Sequence, residues 1–510
     1  MHASLRAMAA AGSDVGGVDG GARRPLRRAS GVGGVSLLAL LAAVACSSDA
    51  PPVAPPARAA PVVAELTVAA NPTDALALNV AVTVDHADSV RLRLRVTGEM
   101  ADRVLPATPS AAGRVELAAL GLPADSVVTV RAEAFNATGA TFSPPTHART
   151  GALPTALRDV RLAVTGTPAP GYVLTGFVRD GVAYAVAFDS AGAVAWYRAF
   201  PEEAGVSDVQ QQPNGDITVF LGATVGWLPA PGRFVELRPT GDVVRTYAAP
   251  AGYYTDNHEL RLVGARGKVP TAYFFGYDRR PTDLTSRGGA ADSLMAWHSI
   301  FRADPDGTVR RLFAALDRFG VADWIEPPAQ GLGGVDHPNS LDVLPGGDLL
   351  VSWRNFGQLT RIDSATGEIR WRLGGGRSDF TIVGDPLGGF SAPHFARLLD
   401  DGHVLLFDNG NRHQPSESRA VEYALDPAAR SATLVWEYRH APPRFALFTG
   451  AVQRRANGNT VVAYAWNGVI TEVAPDGGVL WEGEVRIGAT SAAPLYRLLA
   501  IPSLYEYRRP

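Results

Sequence analysis

One feature limits what this chain can become more than any other: a strand, turn and strand unit recurs along its C-terminal two-thirds. PNGDITVF at 213–220 leads to FVELRPTGDVVRTY, and PGGDLLVSW at 345–353 leads to LTRIDSATGEIRW. DDGHVLLF at 400–407 and ANGNTVVAY at 456–464 lead in the same way to VEYALDPAARSATLVW and ITEVAPDGGVLW. Two less regular copies occupy 171–196 and 258–313. A short repeat cannot bury an apolar face alone, so neighbouring copies must stack. Six copies of about four strands predict an all-β, six-bladed β-propeller over 157–510, because radial repetition leaves only short sheet edges exposed. The tail after Ser491, APLYRLLAIPSLY, is expected to supply a strand that closes the ring with the first blade. Trp196, Trp371, Trp436 and Trp481 fall at equivalent places and are expected to pack between blades.

Ahead of the repeats, residues 63–152 carry short alternating strands such as LNVAVTV and VRLRLRV between Asp, Pro and Gly clusters. That pattern resembles a small fibronectin- or Ig-like β-sandwich. Its His86 and His147 read as surface or turn residues. The first 46 residues read as a signal peptide, with Arg23, Arg24, Arg27 and Arg28 preceding the apolar run GVSLLALLAAVA. The run ends at Cys46, the single cysteine of the chain, so no intramolecular disulfide can form. Ala43-Val44-Ala45-Cys46 resembles a bacterial lipobox without its usual leucine. Lipidation of Cys46 and attachment to a membrane are therefore expected, with the Pro/Ala-rich stretch 47–62 as a spacer. The protein is accordingly expected to be exported, to the periplasm or the cell surface. A formal net charge of -3 with interspersed signs leaves no basic stripe for nucleic acid.

The repeat gives the histidines their meaning. Of ten, His258 in TDNHEL, His337 in DHPNS and His394 in APHFARL stand at or just before the first strand of a blade. Strands at that position line the central channel, so the three imidazoles are expected to converge on one axis. His298, His403, His413 and His440 lack this register and read as structural. Asn339 follows His337 by two residues, which in a strand places both on one face. Arg354 ends the next strand, where its planar fork of donors suits an oxyanion. Asp408, Asn409 and Asn467 occupy matching strand ends, and Thr449 takes the His394 position one blade on. Trp297, Trp324 and Phe390 read as packing residues before ring-stacking ones. Segments 276–297 and 320–334 are expected to be loops walling a pocket.

A channel of His, Asn and Arg admits two chemistries. Three imidazoles can hold a catalytic metal, although no HxxxH spacing is present and a nearby arginine would repel a cation. Alternatively a histidine nucleophile transfers a sulfuryl or phosphoryl group while the other cationic donors stabilise its oxygens. An exported, non-catalytic ligand-binding or scaffold propeller is the remaining reading.

The blocks DNHEL, DHPNSLDVLPGGDLLVSWRN, APHFARLLDDGHVLLFDNGN and GAVQRRANGNTVV resemble the bacterial arylsulfate sulfotransferases that do not use PAPS. The likeness runs over roughly 157–500. It implies a periplasmic enzyme that passes a sulfuryl group from an aryl sulfate to a phenol through a sulfohistidine, by a ping-pong route and without a cofactor or metal. By motif position His394 would be the nucleophile. His258, His337, Asn339 and Arg354 would hold the sulfuryl oxygens, with Thr449 and Asn409 beside them. Phe448 stands where that family carries a basic residue, which leaves Arg444 as an alternative cation. Some members carry a disulfide that this chain cannot form, and some dimerise. The absence of a Walker-type loop or a strand-following GxGxxG agrees with a reaction that needs no nucleotide.

Overall fold

The computed structural model describes residues 58–505 apart from 111–112, 223, 226–227, 230, 266 and 326–333. The signal segment, Cys46 and the first part of the spacer lie outside the described residues. Strands dominate and the only helical pieces described are single 3-10 turns.

Six sheets follow one another in chain order, antiparallel throughout except where the short strand Thr381–Val383 runs parallel beside Ser431–Arg439. Each begins with an inner strand: Val206–Gln211, Tyr254–Val263, Pro338–Val343, His394–Leu398 and Ala451–Arg454 open five of them. In each of the five, three further strands step outward in sequence order. The sixth sheet is built from both ends of the repeat region. Its outer strands are Tyr172–Arg179, Val182–Asp189 and Val194–Phe200, and its inner strand is the C-terminal Leu499–Ile501. Leu499 pairs with Leu174 and Ile501 with Tyr172, so the tail closes the array as its sequence suggests. Val160–Gly166 in turn adds an outermost strand beside Val479–Ile487, a second tie between the two ends.

The sheets hold one another through apolar faces and through the tryptophans. Trp196 is fully buried, and its indole N–H donates to the carbonyl of Pro239, in a turn of the next sheet, at 2.7 Å. Trp436 repeats this with Pro475 at 3.0 Å. Trp481 instead bonds Glu472 within its own sheet, and Trp371 packs edge-on against Phe380. Trp297, Trp324 and Phe390 are buried in the aliphatic and aromatic clusters between sheets, in keeping with the packing reading.

The N-terminal strands form two sheets. Val62–Ala70, Leu78–Asp85 and Gly113–Ala119 make one, and Ser89–Val96 and Val127–Asn136 anchor the other. Alternating residues of both, including Val80, Val82, Leu92, Leu94, Val128 and Val130, share one buried cluster. His86 and His147 are exposed. This layer is fastened to the repeat region by polar bonds: Asn71 donates to the Thr240 carbonyl at 2.9 Å, and the Tyr505 hydroxyl bonds the backbone of Leu120.

Two segments expected as loops differ. Residues 276–297 are mostly a long hairpin, since Thr271–Thr282 pairs with Ser293–Ala303 along its whole length. In 320–334, Val321–Asp323 forms a 3-10 turn, and Gly334 bridges to Ala296.

Candidate active site

The inner strands bring His258, His337, His394 and Arg354 to one place. His258 lies within Tyr254–Val263, at a register break between Thr255 and Leu260 that turns its ring toward the neighbouring sheet. Its ring centroid is 4.7 Å from that of His337. His394 opens its strand, and the charges of Arg354 and His258 both bear on it and on His337.

The local backbone is unusual. His337, Ala392, Phe395 and Thr449 all adopt φ between 49° and 61°. Non-glycine residues seldom enter this left-handed region, and a β-branched threonine does so at the highest cost. Such conformations persist where surrounding structure fixes them, commonly at functional sites. The φ of His337 also corrects one expectation: the strand begins at Pro338, so His337 and Asn339 are not two residues of one strand face. Asn339 is fully buried. Its amide donates to the Pro393 carbonyl at 2.8 Å and its oxygen accepts from Ser352, which ties the turn before His394 to the neighbouring sheet.

His394 is 3% exposed, and its Nδ1 lies 3.0 Å from the Ala392 carbonyl oxygen. A carbonyl can only accept, so Nδ1 carries the hydrogen and Nε2 presents a lone pair. Burial, and then the Arg354 guanidinium, hold this imidazole well below its ordinary pKa. His337 is held low by burial and by its His258, Arg354 and His394 neighbours. Both rings are neutral at pH 7. Arg354 is 2% exposed, and its guanidinium stacks over Phe448 with the central carbon 4.4 Å from the ring centroid. Phe448 thus fixes the plane of that arginine. Arg444 is not brought to the site. It bonds Glu482 and His440, a side-chain pairing that takes its charge elsewhere.

Asn409 donates to the carbonyls of Ala446 and Thr449 at 2.7 and 2.9 Å, and its side chain raises the proton affinity of His394. The Thr449 hydroxyl is buried without a hydrogen-bond partner. Asp408 is structural, holding the backbone N–H of Ser391 and Gly410 and the Arg419 guanidinium.

Beneath the histidines lies a buried charge cluster. Arg497 pairs with Asp208 and Glu259 and donates to the Asn339 carbonyl at 2.8 Å, while Arg397 donates to Glu259 at 2.6 Å. Tyr496 donates to the His258 carbonyl at 2.8 Å. The closing tail therefore also braces the site.

His298, read from the sequence as structural, belongs to this region. Its Nδ1 lies 2.5 Å from Asp336 and its Nε2 3.2 Å from Asp256, and Asp256 also accepts from His258 Nδ1 at 2.7 Å. His298 sits on the third strand of its sheet, which is why the inner-strand register misses it. The length of the hairpin carries it inward. The signal that could have found it is the aspartate just ahead of two of the three inner histidines, Asp256 before His258 and Asp336 before His337.

Metal-ligand spacing among the described residues occurs at Asp401, His403 and Glu422, where Glu422 is also paired with Arg454. His258, His337 and His394 do not offer three ligand atoms within 4.8 Å of one another. The arrangement instead combines a buried neutral imidazole with a lone pair, a fixed guanidinium and further imidazole donors, which suits a nucleophile facing a tetrahedral anion.

No curated protein matches the chain significantly in sequence. Among solved structures it is similar to a protein of unknown function from Bacteroides caccae, at 14% identity and TM-score 0.41 over 66% of this chain and 100% of that one. It is also similar to a virginiamycin B lyase from Staphylococcus aureus, at 12% identity and TM-score 0.32 over 66% and 92%. Residues 244–486, which contain all four clustered groups, match the family described as Arylsulfotransferase (ASST). That span is just under half of the chain, and over it the match supports the arylsulfotransferase family.

Proposed function

We propose that the protein transfers a sulfuryl group from an aryl sulfate to a phenol through a sulfohistidine at His394, in a ping-pong reaction. The observation that carries this reading is the His394 imidazole, buried and neutral, with Nδ1 tied to the Ala392 carbonyl and Nε2 left as a lone pair beside Arg354. Nε2 attacks sulfur, the sulfur–oxygen ester bond breaks, and the phenol departs with a proton. A second phenol then takes the group from His394. Sulfuryl transfer, like phosphoryl transfer, has a loose in-line transition state, so orientation and donors to the equatorial oxygens supply most of the rate. Arg354, His258 and His337 are the donors. Asn409 and the Thr449 hydroxyl complete the pocket, and Asn339 acts by holding the Pro393 carbonyl.

The six sheets are read as the blades of a propeller over 157–510, with 63–152 as an Ig-like sandwich. The leader to Cys46 is read as a lipoprotein signal, which gives an exported enzyme anchored at a membrane. An enzyme outside the cytoplasm has poor access to nucleotide sulfate donors, and an aryl sulfate removes that need.

Incubation with 4-nitrophenyl sulfate and phenol tests the reaction. The wild type is expected to form phenyl sulfate, and His394→Asn to lose at least about 10³-fold. Undiminished transfer by His394→Asn would overturn the assignment.

A further inference from the structure

The departing phenol requires a proton, and the neutral rings of His394 and His337 do not hold a spare one. His258 differs from both in its partner. Its Nδ1 donates to a carboxylate, Asp256 Oδ1, at 2.7 Å, and its backbone N–H donates to the same oxygen at 3.0 Å. Those two bonds fix the ring and leave Nε2 as the only atom that can exchange a proton with substrate.

Asp256 is itself held from behind. Its other oxygen lies 3.2 Å from His298 Nε2, and His298 Nδ1 lies 2.5 Å from Asp336 Oδ1. The His298 backbone N–H adds a bond to Asp336 Oδ2 at 2.8 Å. Gly334 and Val335 run beside Ala296 through a bridge and a 3.1 Å hydrogen bond, which places Asp336 there. All three side chains are at least nine-tenths buried. An imidazole whose two nitrogens both face carboxylates donates from both, so His298 is an imidazolium. Its pKa, raised to about 10 by the two aspartates against the opposing effect of burial, agrees. Two carboxylates and one imidazolium leave one net negative charge, and it faces His258.

We infer that Asp336, His298 and Asp256 form a buried relay that positions His258 as the proton donor to the leaving phenol. The inference rests on the sulfuryl-transfer reading and names its missing acid. In the first half-reaction the His258 Nε2–H proton moves to the ester oxygen as the sulfur–oxygen bond breaks and the His394 Nε2–sulfur bond forms. His258 is left neutral. In the second half it takes the proton of the acceptor phenol, and the cycle balances. The other titratable groups that face the pair are Tyr277 against His298, and His337 and Tyr496 against His258, with Arg354 and His394 across the site. Burial raises both tyrosines, so neither competes as an acid. His298 touches no substrate and is a positioning residue.

The test compares two donors in His298→Gln and Asp336→Asn of the full chain. Phenyl sulfate expels a phenol of pKa about 10 that needs protonation, whereas 4-nitrophenolate leaves without it. Both variants are expected to lose about 100-fold on phenyl sulfate and tenfold or less on 4-nitrophenyl sulfate, within the range of general-acid catalysis. Equal losses on both donors would overturn the relay. Histidine-selective nitrogen NMR of the wild type gives a readout independent of turnover and of whether a variant folds. His298 is expected to keep both ring protons beyond pH 8. Loss of one near pH 6.5 would contradict the inference. A wild type that keeps those protons but transfers nothing would sink the sulfuryl-transfer reading while leaving the relay standing.

Discussion

His394 and His258 share one channel and one origin in the repeat, yet their partners divide them. His394 Nδ1 meets a backbone carbonyl, and His258 Nδ1 meets a carboxylate. Burial and Arg354 hold that ring neutral, outweighing the smaller pull toward charge from the Ala392 carbonyl that selects its tautomer. The Asp256 carboxylate accepts both the ring and the backbone N–H of His258 and so fixes that ring with Nε2 free to face a substrate. Position on equivalent strands therefore brings residues together, while the first atom behind each ring decides what each one does.

The largest expected effect tests the cation on the His394 side. Arg354→Met should lower transfer by about 10²- to 10³-fold, the range for loss of one oxyanion donor. Arg354→Lys should recover part of that, because a lysine keeps charge but not the planar fork held over Phe448. Equal activity of all three, measured as initial rates with 4-nitrophenyl sulfate, would remove Arg354 from the mechanism.

The pH responses of the two sides should run in opposite directions. The His298 pKa is raised to about 10, so its contribution to stability is complete below the unfolded value near 6.5 and is lost as pH rises through about 10. The His394 and His337 pKa values are depressed, so their contribution is present above pH 6.5 and is lost as pH falls below it. Melting temperatures of wild type and His298→Gln should therefore converge above pH 10. Single-turnover sulfation of His394 by 4-nitrophenyl sulfate should stay level as pH falls through 6.5. A rate that drops there with an ordinary imidazole titration would show that His394 is not held neutral.

The smallest effect concerns the edge of the pocket. Thr449→Val removes a buried hydroxyl that has no hydrogen-bond partner. A gain or loss in melting temperature of only a few degrees is expected, because no intramolecular bond is lost. Transfer should fall about fivefold, corresponding to one neutral hydrogen bond of about 1 kcal/mol to the transferred group. Unchanged kcat and KM would leave the hydroxyl outside the pocket.

The clustering of His258, His337 and His394 was legible in the sequence, and the His298 side of the site only half so. His258, His337 and His394 recur at one place in a repeat, and a repeat turns sequence position into spatial position. Trp196 and Trp436 show the same logic in the packing, each donating to a proline carbonyl of the next sheet. His298 escaped because it sits on the third strand of its own sheet and reaches the site through an unusually long hairpin. The orientation of Asn339 relative to His337 was not legible, since a left-handed φ at His337 breaks the two-residue periodicity on which strand faces depend. Arg497 and Tyr496 lie in the closing tail, where nothing local announces that Arg497 pairs with Asp208 and Glu259 under the histidines.

Mass spectrometry of the intact chain and its peptides after mixing with an aryl sulfate alone, without acceptor, tests the central claim most directly. The account predicts one added sulfuryl group, carried by the peptide containing His394 and removed when a phenol is supplied. An unmodified His394 peptide during active turnover, or the group on another residue, would contradict it.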